Sequence, residues 1–99
     1  MTNTEPFITV YIPTYNYGKY LPTAVKSVLK QGYSNFELII VDDGSTDGST
    51  KEFLDQLEGL DKVRIFTLEK SVGLIKASNY ALRRARGEYV MRLDADDWL

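Results

Sequence analysis

Apolar residues recur along this chain in two alternating rhythms. Residues 7–12 (FITVYI) are β-branched and aromatic and run into Pro13, which predicts a strand with Ile8, Val10 and Ile12 on one buried face. After the polar PTYNYGK, the positions Leu21, Ala24, Val25, Val28 and Leu29 fall at helical spacing, with Pro22 tolerated in the first turn and Gly32 closing the helix. Residues 36–41 (FELIIV) are almost continuously apolar, as a strand covered on both faces at the centre of a sheet should be. Asp42, Asp43 and Gly44 break it, Ser45 or Thr46 can cap a second helix, and Phe53, Leu54 and Leu57 form that helix's apolar side before Gly59. Residues 63–68 (VRIFTL) alternate less strictly, which suits a strand near an edge. From Gly73 a third helix turns Leu74, Ala77, Ala81, Leu82 and Ala85 inward and Lys76, Arg83, Arg84 and Arg86 outward, ending at Gly87. Residues 89–93 make a fourth strand.

The order is β-α-β-α-β-α-β, which predicts an α/β fold: a Rossmann-like, parallel four-stranded sheet flanked by helices. No linker or low-complexity segment interrupts it, so residues 1–99 read as a single domain. Right-handed crossovers bring the carboxyl ends of parallel strands to one edge, where ligands bind in such folds. Four polar clusters should meet there: Pro13-Thr14-Tyr15-Asn16, Asp42-Asp43-Gly44-Ser45, residues 69–73 (EKSVG), and Asp94-Ala95-Asp96-Asp97.

Composition narrows the chemistry. The 99 residues are 43% hydrophobic, enough for one core, and the net charge of -2 offers no global attraction to nucleic acid or an anionic surface. The absence of cysteine and histidine removes disulfides, histidine bases and the usual zinc ligands. No apolar run approaches the roughly 20 residues that span a bilayer, and residues 1–7 lack the basic and apolar regions of a signal peptide. A reducing, cytoplasmic setting is the expectation.

Asp, Asn, Gly and Ser are ordinary turn residues, so any one cluster could be only a turn or a cap. Asp94, Asp96 and Asp97 ask for more, because like charges so close repel unless a cation or hydrogen-bond donors offset them. Carboxylate oxygens without imidazole or thiolate suit Mg²⁺ or Mn²⁺, which keeps positions open for water and substrate phosphates. The chain has neither the glycine fingerprint of dinucleotide folds nor a phosphate-cradling loop, so a phosphate ligand would be held through the metal. Tyr15 offers a flat face to a nucleobase, Asp42 or Asp43 an acceptor for a base N–H or ribose hydroxyl, and Lys76 a cation for a diphosphate. The row Arg83, Arg84 and Arg86 reads as a solvated helix face.

With these clusters in this order, the chain resembles the family 2 glycosyltransferases, inverting nucleotide-sugar enzymes of the GT-A fold. The stretches that carry the resemblance are ITVYIPTYNYGKYLPTAVKSVLKQGYSNFELIIVDDGSTDGS and GLIKASNYALRRARGEYVMRLDADD, almost the whole length. The resemblance implies the N-terminal, nucleotide-sugar-binding half of that fold. Pro13, Thr14 and Tyr15 would line the base pocket, with Asn16 of the same turn in the nucleotide site. Asp42 and Asp43 would bind base or ribose. Asp94 and Asp96 would form the D-x-D pair, with Asp96 the leading metal ligand and Asp97 sharing that duty or capping the next element. The family often has an arginine before the asparagine of the third helix, where Ser78 precedes Asn79, and Lys76 is a candidate substitute for its charge.

The implied donor is a nucleotide sugar, UDP-linked by expectation, with Mg²⁺ or Mn²⁺ as cofactor and a saccharide or lipid-linked acceptor in the full-length enzyme. The acceptor region and the general base of such enzymes are expected downstream of Leu99, which makes this chain a donor-binding fragment inactive alone, with homodimerisation through surface exposed by truncation a further expectation. The full enzyme would work in the cytoplasm at the inner face of a membrane. Two rivals remain from the residues themselves. One is a phosphoacceptor receiver module with Asp42, Asp43 and Asp94 as its acidic pocket; the other is a nucleotide-binding module without catalysis.

Overall fold

Apolar strands that must cover both faces can do so only between layers of helix, and the chain arranges itself accordingly. In this computed structural model, which describes residues 6–96, the elements are β1 (Ile8–Thr14), α1 (Leu21–Lys30), β2 (Phe36–Asp42), α2 (Gly48–Leu57), β3 (Val63–Thr67), α3 (Leu74–Arg84) and β4 (Tyr89–Arg92). All pairings are parallel and the strand order is β3-β2-β1-β4. Register is continuous along the central pair, with Ile12 opposite Ile40 and Thr14 opposite Asp42.

The chain steps from β1 to β2 to β3 in one direction and then crosses back to β4 on the other side of β1. Crossovers of one hand that run in opposite directions place their helices on opposite faces. The core divides to match. Val10, Ile12, Leu38 and Ile40 pack with α1 and α2 residues such as Val25, Val28 and Leu54. On the reverse face, Tyr11, Ile39 and Val41 pack with Ala77 and Ala81 of α3. This order also removes the receiver reading, since doubly wound sheets of that type place β1 between β2 and β3, whereas here β3 lies beyond β2.

Several elements depart from their sequence limits. β1 runs on to Thr14 because the parallel ladder with β2 continues past Pro13. The N-cap of α2 is Asp47, not Ser45 or Thr46, whose backbone and hydroxyl groups are drawn to Asn16. α3 ends at Arg84, so the row of arginines is not one solvated face. The Arg84 guanidinium lies 3.4 Å from the centroid of the Tyr80 ring, and the Arg86 N–H is turned to Glu37. Leu82 and Leu29, expected inward, are exposed. Ser78, one turn before Leu82, meets Arg92 of β4, so that side of α3 looks out over the edge strand of the described sheet. β4 itself is exposed throughout, with Tyr89 at 61%.

Glu37 is a carboxylate inside the most buried strand. It accepts hydrogen bonds from the Thr9 hydroxyl (2.7 Å), the Arg86 N–H (2.8 Å) and the Arg64 guanidinium (2.9 Å). Arg64 also donates to the Arg84 carbonyl, and the Thr9 hydroxyl accepts the Gly87 N–H. One carboxylate thus ties β1, β2, β3 and the end of α3 together at the edge opposite the strand carboxyl ends. Burial alone would raise its pKa; the Thr9, Arg86 and Arg64 hydrogen bonds and the Arg64 charge outweigh that and hold it below the ordinary glutamate range.

Replacing Glu37 by alanine strands three donors in a buried place, and should cost about 3 kcal/mol in urea unfolding at neutral pH. Because the folded pKa is depressed, the ionised carboxylate's contribution is full above about pH 4.5 and is lost as pH falls through the lower folded value. The stability gap between wild type and Glu37→Gln should therefore narrow below that pH, which unfolding curves at several pH values would measure.

Candidate functional site

The strand order reverses at β1, and in open α/β sheets such a switch point, here beyond the neighbouring carboxyl ends of β1 and β4, is where a ligand crevice lies. The β1 end supplies Tyr15 and Asn16, and the β4 end supplies Asp94 and Asp96. Side chains alternate along strands, which sorts the rest. Asp42 follows Leu38 and Ile40 toward α2, where it borders a groove of about 230 Å³ with Ser45, Lys51 and Thr67. Asp43 follows Ile39 and Val41 toward α3. Adjacent aspartates therefore serve opposite faces.

Both are buried and partly engaged. Asp42 Oδ1 accepts the Ser45 N–H at 3.1 Å. Asp43 accepts three bonds, from the Val72 N–H (2.7 Å), the Gly73 N–H (2.9 Å) and the Ser71 hydroxyl (2.9 Å). It organises the turn that starts α3 and has correspondingly little acceptor capacity left for a ligand. Gly44, at φ +70°, lets this turn pass close by: a Cβ there would meet the Ser71 nitrogen at 2.8 Å. A side chain at that position would push the β2 and β3 loops apart.

Asn16 is the hinge pin of the β1 loop. It occupies the left-handed region at φ 56°, which asparagine tolerates better than most residues. Its Oδ1 accepts the Thr46 N–H (2.8 Å) and the Asp47 N–H (3.1 Å), its Nδ2 donates to the Thr46 hydroxyl (3.4 Å), and its own N–H donates to Ser45 Oγ (2.9 Å). Gly18 completes the join by donating its N–H to Asp47 Oδ2 at 3.1 Å. The Asn16 amide is thus spent on holding two loops together. Tyr15 beside it is 39% exposed, whereas Pro13 and Thr14 are buried in the sheet. The Thr14 hydroxyl makes no hydrogen bond among the described residues.

At the other end, Leu93 and Ala95 are buried while Asp94 and Asp96 are exposed, so the alternation turns both carboxylates outward. Asp97 lies outside the described residues. Among the described residues no group of three His, Cys, Asp or Glu side chains surrounds one point. Two neighbouring carboxylates nonetheless fit a hard divalent cation that takes its remaining ligands from water and phosphate oxygens. Asp94 is not unaccompanied: Arg92 Nε donates to its Oδ1 at 3.1 Å. Lys76 is not brought to this pair. It lines a groove of about 320 Å³ with Asn79, Tyr80 and Arg83, on the side of α3 where Tyr80 packs edge-on against Phe66 of β3.

The sequence reading passed over Glu37 at the opposite edge and Arg92 at this one, and it placed Ser71 in a polar cluster without a partner. A lone acidic residue in an apolar strand and a lone basic residue just before LDADD were visible signals for the first two. Ser71 carried none, because its partner is set by how close two loops approach.

A family model, Glycosyl transferase family 2, matches residues 9–99. The chain belongs to that family. It is 46% identical over 98 residues to the putative teichuronic acid biosynthesis glycosyltransferase TuaG of Bacillus subtilis, covering 98% of this chain and 38% of that one. It is 40% identical over 94 residues to a chondroitin synthase of Escherichia coli, covering 95% of this chain and 14% of the other. Among solved structures, S. aureus TarS 1-349 in complex with UDP superposes with a TM-score of 0.84 at 35% identity, covering 93% of this chain and 28% of that chain. A mannosyltransferase from Pyrobaculum calidifontis in complex with GDP-Man and Mn²⁺ gives 0.82 at 30% identity, with coverages of 94% and 28%. This family member therefore spans well under half the length of these relatives, and the part it covers is N-terminal. Its fold is that of the N-terminal portion of GT-A enzymes.

Replacing Asn16 by alanine removes three side-chain hydrogen bonds and leaves a less tolerant residue at positive φ, and should cost about 2 kcal/mol in thermal or urea unfolding. Asn16→Gly should recover about 1 kcal/mol of that by relieving the backbone alone.

Proposed function

We propose that residues 1–99 form a single nucleotide-diphospho-sugar-binding domain, and that its crevice holds the nucleoside diphosphate of a sugar donor, with UDP as the nucleotide. What carries this reading is one placement: exposed Tyr15 just past the end of β1, and the exposed pair Asp94 and Asp96 just past the end of its neighbour β4. The UDP complex of TarS supports the choice of nucleotide. Tyr15 presents its ring to the base, while Pro13 and Thr14, expected to line the pocket, lie buried in the sheet and support the loop from below. Asn16 holds that loop in place. Asp43 or Asp42 uses its remaining oxygen capacity on a base N–H or ribose hydroxyl.

Asp94 and Asp96, with Asp97 as a third candidate, would hold Mg²⁺ or Mn²⁺; the Mn²⁺ named with the Pyrobaculum enzyme supports this. Such an ion, when bound, supplies charge neutralisation for a departing diphosphate. In the full-length enzyme, a carboxylate base outside this chain would take the proton of an acceptor hydroxyl, saccharide or lipid-linked, and attack at the anomeric carbon would invert it. On this reading the chain by itself would bind donor without transferring sugar. The exposed β4 edge would also let two copies of the fragment associate.

Among the described residues no helix is long and apolar enough to cross a membrane. Independently of that, our reading has the full-length enzyme working in the cytoplasm, at the inner face of a membrane.

Calorimetric titration tests the reading. UDP should bind the protein more tightly with Mn²⁺ than without it, and Asp96→Ala should remove most of that difference while leaving the metal-free affinity in place. Equal affinity with and without Mn²⁺ in a folded protein would sink the metal bridge, and no UDP binding under either condition would sink the nucleotide site.

A further inference from the structure

Arg92 is the only charged residue of β4 and its last. It pairs in register with Tyr11, whose side chain belongs to the α3 face, so Arg92 rises on that same face. From there its guanidinium reaches two groups: Nε donates to Asp94 Oδ1 at 3.1 Å, and Nη1 donates to Ser78 Oγ, on the inner side of α3, at 3.4 Å. Side-chain exposures of 42% for Arg92 and 57% for Asp94 leave the pair open to the crevice. The remaining N–H groups of the planar fork have no partner among the described residues.

An exposed ion pair of this kind adds little to stability. Its position is what matters. It is a cation set directly against Asp94, one of the two carboxylates, whereas Lys76 lies in the groove on the β3 side of α3. Ser78, a small residue, leaves the room between α3 and β4 that the guanidinium fills. A planar fork with free donors beside hard carboxylates is well made for phosphate oxygens, which it can take two at a time.

Resting on the nucleoside diphosphate site proposed above, we infer that Arg92 is the diphosphate-binding cation of this chain, held in readiness by Asp94 and Ser78, and that Lys76 does not fill that role. While no ligand is bound, the guanidinium offsets the Asp94 charge. Once phosphate arrives, its free N–H groups bind the oxygens while Ser78 keeps the fork oriented.

Uridine and UDP, titrated separately into wild type, Arg92→Met, Arg92→Lys and Lys76→Met, distinguish phosphate contact from general support. Arg92→Met should weaken UDP about tenfold and leave uridine unchanged. Arg92→Lys should fall between it and wild type, and Lys76→Met should match wild type. Titration of Mn²⁺ alone should give Arg92→Met an affinity at least equal to wild type, because a competing cation beside Asp94 is gone. Unchanged UDP affinity in Arg92→Met, equal losses of UDP and uridine in both Arg92 variants, or a Lys76→Met loss as large as that of Arg92→Met would overturn the assignment. If wild type binds UDP and Arg92→Met binds it equally, only Arg92's role fails; if wild type binds no UDP, the nucleotide site fails and this inference with it.

Discussion

The strand that everything else is measured from is β1, hydrogen-bonded to β2 on one side and β4 on the other. Because crossovers keep one hand, a chain that adds strands on both sides of its first must put its helices on both faces. That single constraint separates α1 and α2 from α3, divides the core in two, and makes β1 the point where the strand order reverses. The crevice is a by-product of connectivity, available before any side chain is chosen. The polar clusters then decide what can sit in it.

At the opposite edge of the same sheet, polar chemistry does a different task. Glu37 is a charge placed where an aliphatic residue would be the simpler choice, and it is tolerable only because Thr9, Arg64 and Arg86 answer it. The network fixes how the end of α3 meets the strands. Since α3 begins at the turn held by Asp43 and passes Ser78 beside Arg92, its tilt links the structural edge to the ligand edge. A buried carboxylate at one end of a helix and a buried carboxylate at the other hold it like two pegs.

Much of this was readable from the residues. The continuous apolar run of FELIIV identified the central strand, and the looser alternation of VRIFTL identified an edge, because burial on two faces or one leaves those periodicities in the composition. The clusters at strand ends were likewise legible, since parallel topology sends them all to one side. What stayed hidden was anything that depends on which strands are neighbours. Nothing local places β4 against β1, so the exposure of Tyr89 and the meeting of Arg92 with Ser78 had no signature in either stretch. The same holds for Asn16: its residue type suited a turn, but that its amide joins the β1 loop to the start of α2 follows from register. In the row of arginines, Arg83 and Arg86 are exposed as expected, but Arg84, the last helical residue, folds over the Tyr80 ring, a contact that helical phase alone does not reveal.

The sorting of Asp42 and Asp43 to opposite faces has an implication for how such a chain can change over time. A single residue gained or lost within Phe36–Asp42 would exchange the two carboxylates, sending the one that anchors the α3 turn toward α2 and inverting the faces of every strand residue between the change and the site. Substitution in β2 is a matter of degree, but its length is a matter of parity. The strand that feeds the site is bound to an integer.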